Sequence, residues 1–194
     1  MARGGQGLAR VAVVVRAGAA PLWWLGVFAA GIGVLVPGLT GRRIGVLAGA
    51  ALFIVTTAVV AYRRRRRYGA LMRGTARAGK HDVLQDRAVT VRNWRRGHRW
   101  WLVGAFAAAL GSAFAVPAAG GMLLAGAGAG LWLKSGWIGR RERAEEELLW
   151  VRVDWLAGGG GRPAGKAVKA YRSTGIAAGD AAPGGARRRA DALV

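Results

Sequence analysis

Five consecutive guanidinium groups, Arg63-Arg64-Arg65-Arg66-Arg67, are the densest chemical feature of this sequence. A guanidinium is planar, permanently charged and shaped to fork onto phosphate or carboxylate oxygens. A run of five is therefore built for anions, either lipid headgroups or a nucleic-acid backbone. Arg95, Arg96 and Arg99 repeat the theme further along, with Tyr68, Trp94 and the histidines nearby as rings on which bases could stack. No nucleic-acid-binding motif frames these residues, so their attraction carries no sequence preference. Read at its simplest, the run is a topogenic anchor that meets anionic lipid.

Groups for acid–base or metal chemistry are sparse. There is no cysteine, which excludes disulfides, thiolate nucleophiles and cysteine-bound zinc. The two histidines, His81 and His98, are too far apart in the chain to read as a metal motif. His81 and Asp82 are neighbours, and neighbouring side chains on a helix do not face each other. Glu145, Glu146 and Glu147 read as the solvated face of a helix, close to Glu142 in the chain. The run from Gly158 to Gly161 lacks the spacing and the preceding strand of a phosphate-binding loop. The expectation is a protein with no catalytic residues, no cofactor and no bound metal.

The elements that must position the arginines are apolar. A net charge of +21 beside 53% hydrophobic residues is contradictory for a soluble domain of 194 residues. The contradiction vanishes because the charges lie in blocks and the apolar residues lie between them. Four segments approach the roughly 20 apolar residues that cross a bilayer: residues 20–38, 44–62, 100–118 and 119–138. None holds an acidic residue. Lys134, one turn from the end of the fourth, reads as snorkelling to the headgroups. The first has no small-residue cleavage site and reads as a span, not a removable signal. Ala-, Gly- and Arg-rich composition with little Lys is that of a high-GC bacterial genome.

The cations give the orientation. Arg42 and Arg43 alone lie between the first and second spans, and none lies between the third and fourth. Apart from Lys134, all the rest lie in the N-terminal segment, the central loop or the C-terminal segment. The positive-inside rule then places both termini in the cytoplasm.

The apolar pattern is written twice. Trp23-Trp24 aligns with Trp100-Trp101, Phe28 with Phe106, and Gly33 with Gly111. The fold expected is all-α: four transmembrane helices as two tandem parallel hairpins. Trp23, Trp24, Trp100 and Trp101 are the interfacial anchors. Gly45-x-x-x-Gly49 and Gly126-x-x-x-Gly130 supply small faces for helix packing. Such thin helices leave surface for a second copy, a homodimer.

The chain divides into a basic N-terminal segment (1–19), hairpin one (20–62), a basic and partly helical loop (63–99), hairpin two (100–138), a cytoplasmic amphipathic helix (139–157) and a flexible basic tail (158–194). Within the loop, a helix continuing the second span and a short one from His81 to Trp94 are expected. Arg187 to Arg189 form a further charge cluster in the tail.

The function expected is structural or accessory: a multi-pass protein of the bacterial inner membrane whose cationic cytoplasmic face meets anionic lipid or a protein partner. The first alternative is a membrane-anchored, non-specific DNA-binding accessory of the plasmid or DNA-transfer type. The second is a small transporter or channel subunit, disfavoured because the spans hold no Asp, Glu or His for coupling.

Overall fold

The computed structural model describes residues 7–79, 82–153 and 171–176, with the side chain of Arg73 left aside. The structure is mostly helical and divides into two compact units. One unit is built from residues 15–63 and 93–136. The other takes residues 1–14, 64–92 and 137–194. In chain order the elements are β1 (Gly7–Arg10), α1 (Val11–Ala17), α2 (Ala19–Leu35), α3 (Arg42–Tyr62), α4 (Arg65–Gly74), β2 (Val83–Leu84), α5 (Arg87–Ser112), α6 (Ala119–Ala144), β3 (Glu147–Arg152) and β4 (Tyr171–Gly175).

The helical unit is held by close backbone approach. A Cβ placed on Gly126 would stand 2.7 Å from the Phe53 carbonyl oxygen of α3, and one on Gly130 would stand 2.8 Å from that of Thr57. The Thr57 hydroxyl donates to the Gly126 carbonyl at 3.1 Å. On the side of α6 facing α2, Gly121 lies against the Ala30 backbone, and a Cβ on Gly128 would come within 2.5 Å of the Trp23 nitrogen. Gly26 of α2 lies against Ala125 in return. Gly49 meets the Met122 side chain, and Gly45 meets Pro117. An apolar cluster of Leu22, Ala29, Leu102, Ala109 and Leu124 fills the space between α2, α5 and α6. The loops joining α2 to α3 and α5 to α6 meet: the Leu39 N–H donates to the Phe114 carbonyl at 3.1 Å, and the Thr40 hydroxyl to that of Ala115 at 3.2 Å.

Two helical stretches, Val11–Leu35 and Arg42–Met72, are long and apolar enough to cross a membrane. By the same measure α5 and α6 fall short. Helix α5 opens among arginines and ends at Ser112, before the apolar run has finished, and α6 is diluted by glycines and Lys134. Lys134 is itself 8% exposed, so it is buried and does not reach outward as expected.

The sheet unit overturns the all-α expectation. Its four strands run in the order β2-β1-β3-β4. Strand β1 pairs in parallel with β2 (Gly7 with Val83) and antiparallel with β3 (Leu8 with Arg152, Arg10 with Trp150). Strands β3 and β4 are antiparallel, from Glu147 with Gly175 to Val151 with Tyr171. Leu8, Leu148 and Trp150 form the core, with Ala78 and Leu84 packed on it. The outer edge of β4 is partly covered by chain 76–78: the Ala78 N–H donates to the Ser173 carbonyl at 2.9 Å, and the Ser173 N–H to that of Ala76 at 3.1 Å.

Three expected segments change accordingly. The amphipathic helix at 139–157 is instead the end of α6 followed by β3. Leu148 to Val151 are all buried, and Trp150 and Val151 suit a pleated, enclosed strand. Glu146, at φ 53°, makes the left-handed turn between helix and strand. The short helix expected from His81 gives way to β2, and α5 begins only at Arg87. The tail assigned to 158–194 contains β4, because Tyr171 to Gly175 find a partner in β3 that local sequence cannot reveal. Gly158 to Gly161, Arg187 to Arg189 and His81 lie outside the described residues.

Candidate functional site

Five of the arginines singled out by the sequence sit around the start of α4. Arg63 caps α3, its N–H donating to the Val59 carbonyl at 2.8 Å. Arg64 adopts a left-handed backbone at φ 66°, which an L side chain other than Gly or Asn rarely takes. That turn stops α3 and starts α4. Helix α4 then buries Leu71 and Met72 in the sheet unit, and Arg64, Arg66 and Arg67 remain exposed. Arg65 is half-buried, with its guanidinium 5.4 Å from the centre of the Trp137 ring, a cation–π contact.

The first turn of α4 holds no acidic residue, and its N-terminus has no side-chain cap. Like charges gathered at the positive end of a helix dipole repel both it and one another. Such an arrangement gains from an anion. Among the described residues, ion pairs join Arg10 to Glu142 and Arg141 to Glu145, and no carboxylate among them pairs with Arg64, Arg66 or Arg67. Tyr171 of β4 lies near the same arginines. Burial pushes its phenol above the ordinary value, and the charges of Arg67 and Arg64 pull it back only in part. The hydroxyl therefore stays protonated at neutral pH.

The other predicted arginines occupy the helical unit. Arg95, Arg96 and Arg99 lie on the exposed part of α5, with Arg99 5.4 Å from the Trp100 ring centre. His98 stacks on Trp94 at 4.3 Å and shares a hydrogen bond with the Trp94 carbonyl at 2.9 Å, so this ring is already occupied. The four tryptophans expected as anchors are not equivalent. Trp24, Trp100 and Trp101 are exposed, whereas Trp23 turns inward against Phe53 (6.1 Å) and Trp132 (5.6 Å). Gly45, Gly49, Gly126 and Gly130 all face neighbouring backbone or side chains within the unit.

A concavity lies in the sheet unit. Arg77, Ala78, Glu145 to Glu147 and Ser173 to Gly175 line an open cleft of about 530 Å³. Glu145 is engaged by Arg141 at 2.6 Å. Among the described residues no group of three His, Asp or Glu could hold a metal ion.

Sequence reading missed two features of the arginine surface: the electrostatic reach of Arg67 and Arg64 to Tyr171 and the Trp137 ring under Arg65. Both are brought near by strand pairing or helix packing across long stretches of chain, and neither leaves a local signal. No known protein family, curated protein or solved structure matches this chain.

Proposed function

We propose that the chain is a non-enzymatic, multi-pass protein of the bacterial inner membrane, a structural or accessory component that presents a cationic surface to the cytoplasm. One observation carries the reading: β1, β2 and β3 share one sheet. The apolar helices α2 and α3 lie between β1 and β2 in the chain, and α5 and α6 lie between β2 and β3. Strands that pair must occupy one compartment. Each intervening segment therefore leaves and returns on the same side, which supports two hairpins and four crossings, with the sheet on one side. The arginine-rich chain between α3 and α5 supports a cytoplasmic assignment for that side.

The surface of the helical unit supports the same reading. Phe28, Ile54 and Leu47 are 60, 66 and 72% exposed, and no acidic residue occurs in this unit. Soluble monomers rarely expose contiguous apolar patches beyond several hundred Å². Lipid tails cover such a surface without cost.

Reconstitution of the full-length protein separates the accessory reading from transport. Liposomes loaded with ion- and pH-sensitive dyes should leak no faster than empty ones. A flux above that baseline, lost when Gly126 is enlarged, would replace the accessory reading by a pore.

A further inference from the structure

Helix α3 has 21 residues, which at 1.5 Å per residue makes it about 31 Å long. The hydrocarbon core of a bilayer is about 30 Å thick. Arginines stand at both ends of this helix, Arg42 and Arg43 in the first turn and Arg63 at the cap, with no charge between them. Arg64, Arg66 and Arg67 follow within a few residues. Their covalent distance from the end of α3 keeps them within reach of a headgroup layer that adds roughly 5–7 Å to each face of the core. The left-handed turn at Arg64 has a consequence here. An unbroken helix would spread five arginines around its whole circumference. The break instead starts a separate short helix that buries Leu71 and Met72 and leaves Arg66 and Arg67 exposed with Arg64.

We infer that Arg64, Arg66 and Arg67 form a binding surface for the phosphates of anionic phospholipids in the cytoplasmic leaflet. The inference rests on the reading that α3 spans the membrane. Guanidiniums fork onto phosphate oxygens. Duplex nucleic acid offers the same phosphates but must approach against the bilayer. Headgroup phosphates are already present at this depth.

The test uses full-length protein reconstituted in phosphatidylcholine bilayers with spin-labelled lipid. The motionally restricted fraction reports which lipid lies against the protein. Labelled phosphatidylglycerol should be preferred over labelled phosphatidylcholine by about fivefold at low salt, the ratio that corresponds to about 1 kcal/mol for a cation at an anionic surface. The preference should decline as salt screens the charges. In R64Q/R66Q/R67Q it should fall below about twofold, while the triple lysine variant keeps most of it.

Equal association of the two lipids overturns the proposal, as does a preference that neither salt nor the glutamine variant alters. The salt series needs no variant, so it stands even if the substitutions disturb folding. Absence of any restricted lipid, phosphatidylcholine included, would instead sink the membrane-spanning reading. A third outcome assigns the surface to nucleic acid and ends the lipid proposal. In it, the glutamine variant keeps its lipid preference but no longer retains an arbitrary DNA duplex that the unsubstituted protein holds in pure phosphatidylcholine.

Discussion

Glu142 has no exposed surface, and each of its oxygens is used. One accepts from Arg10 through two nitrogens, at 2.6 and 3.1 Å, and the other from the Leu149 N–H at 3.2 Å. A carboxylate on the last turns of α6 thereby fixes both β1 and β3. Removing one partner of a buried ion pair leaves the other charge without compensation and costs about 3–5 kcal/mol. Glu142→Ala should lower the thermal unfolding midpoint by several degrees, and Glu142→Gln, which keeps an acceptor, by less. A midpoint unchanged in both would mean that the pair does not hold the sheet. The sequence shows Glu142 close to three other glutamates, Glu145 to Glu147, and does not set it apart. Its burial depends on Arg10, 132 residues away, so nothing near it marks it as different. The Trp150 indole has a similar debt. Its N–H donates to the Thr174 hydroxyl at 2.7 Å, within a fully buried side chain. Thr174→Val should cost about 1–3 kcal/mol, and adding Trp150→Phe should recover part of that, as a denaturation double-mutant cycle would reveal.

Among the elements, α6 is defined by what its glycines touch. Gly121 and Gly128 let α2 approach, and Gly126 and Gly130 let α3 approach, so the helix is thin on two sides at once. Gly104 and Gly111 of α5 meet nothing within 4 Å. Gly126→Val forces a side chain into the Phe53 backbone and should destabilise the helical unit by about 1–3 kcal/mol. Gly111→Ala should be neutral or stabilise by up to about 1 kcal/mol, because a helix gains from losing a glycine. Unfolding in graded denaturing detergent measures both, and equal effects would refute the packing assignment. The glycine spacing and the long apolar runs were legible in the sequence, and so were α2 and α3 as candidate spans. Strand β3 was not. Leu148 to Val153 is a short apolar run whose period fits either state, and its pairing with β1 and β4 decides the matter. The third span was expected from composition to continue across Ser112, where the helix in fact ends.

At the scale of the whole molecule, the absence of native cysteine makes the topology directly testable. Single cysteines can be placed at Thr40, in the exposed loop between α2 and α3, and at Gly79, exposed in the sheet unit. In intact cells, an impermeant maleimide should label Thr40→Cys and spare Gly79→Cys until the membrane is opened. Labelling of both, or of Gly79→Cys alone, would reverse or cancel the orientation. The charge blocks that carry this expected orientation are legible in the sequence, because arginine placement is written locally. The two-unit organisation was not legible, because the sheet unit is gathered from three separated lengths of chain.

That dispersal bears on how the protein is made. Strand β1 leaves the ribosome long before its neighbours β2 and β3, and β4 comes later still. If the chain crosses the membrane as proposed, the sheet can close only when each hairpin has re-emerged on the side from which it entered. A hairpin threaded the wrong way strands Leu8 and its partners in different compartments, leaving unpaired backbone and apolar surface for proteases to find. On the proposed four-crossing reading, sheet closure would proofread membrane insertion, because only a correctly threaded chain brings Leu8 to its partners.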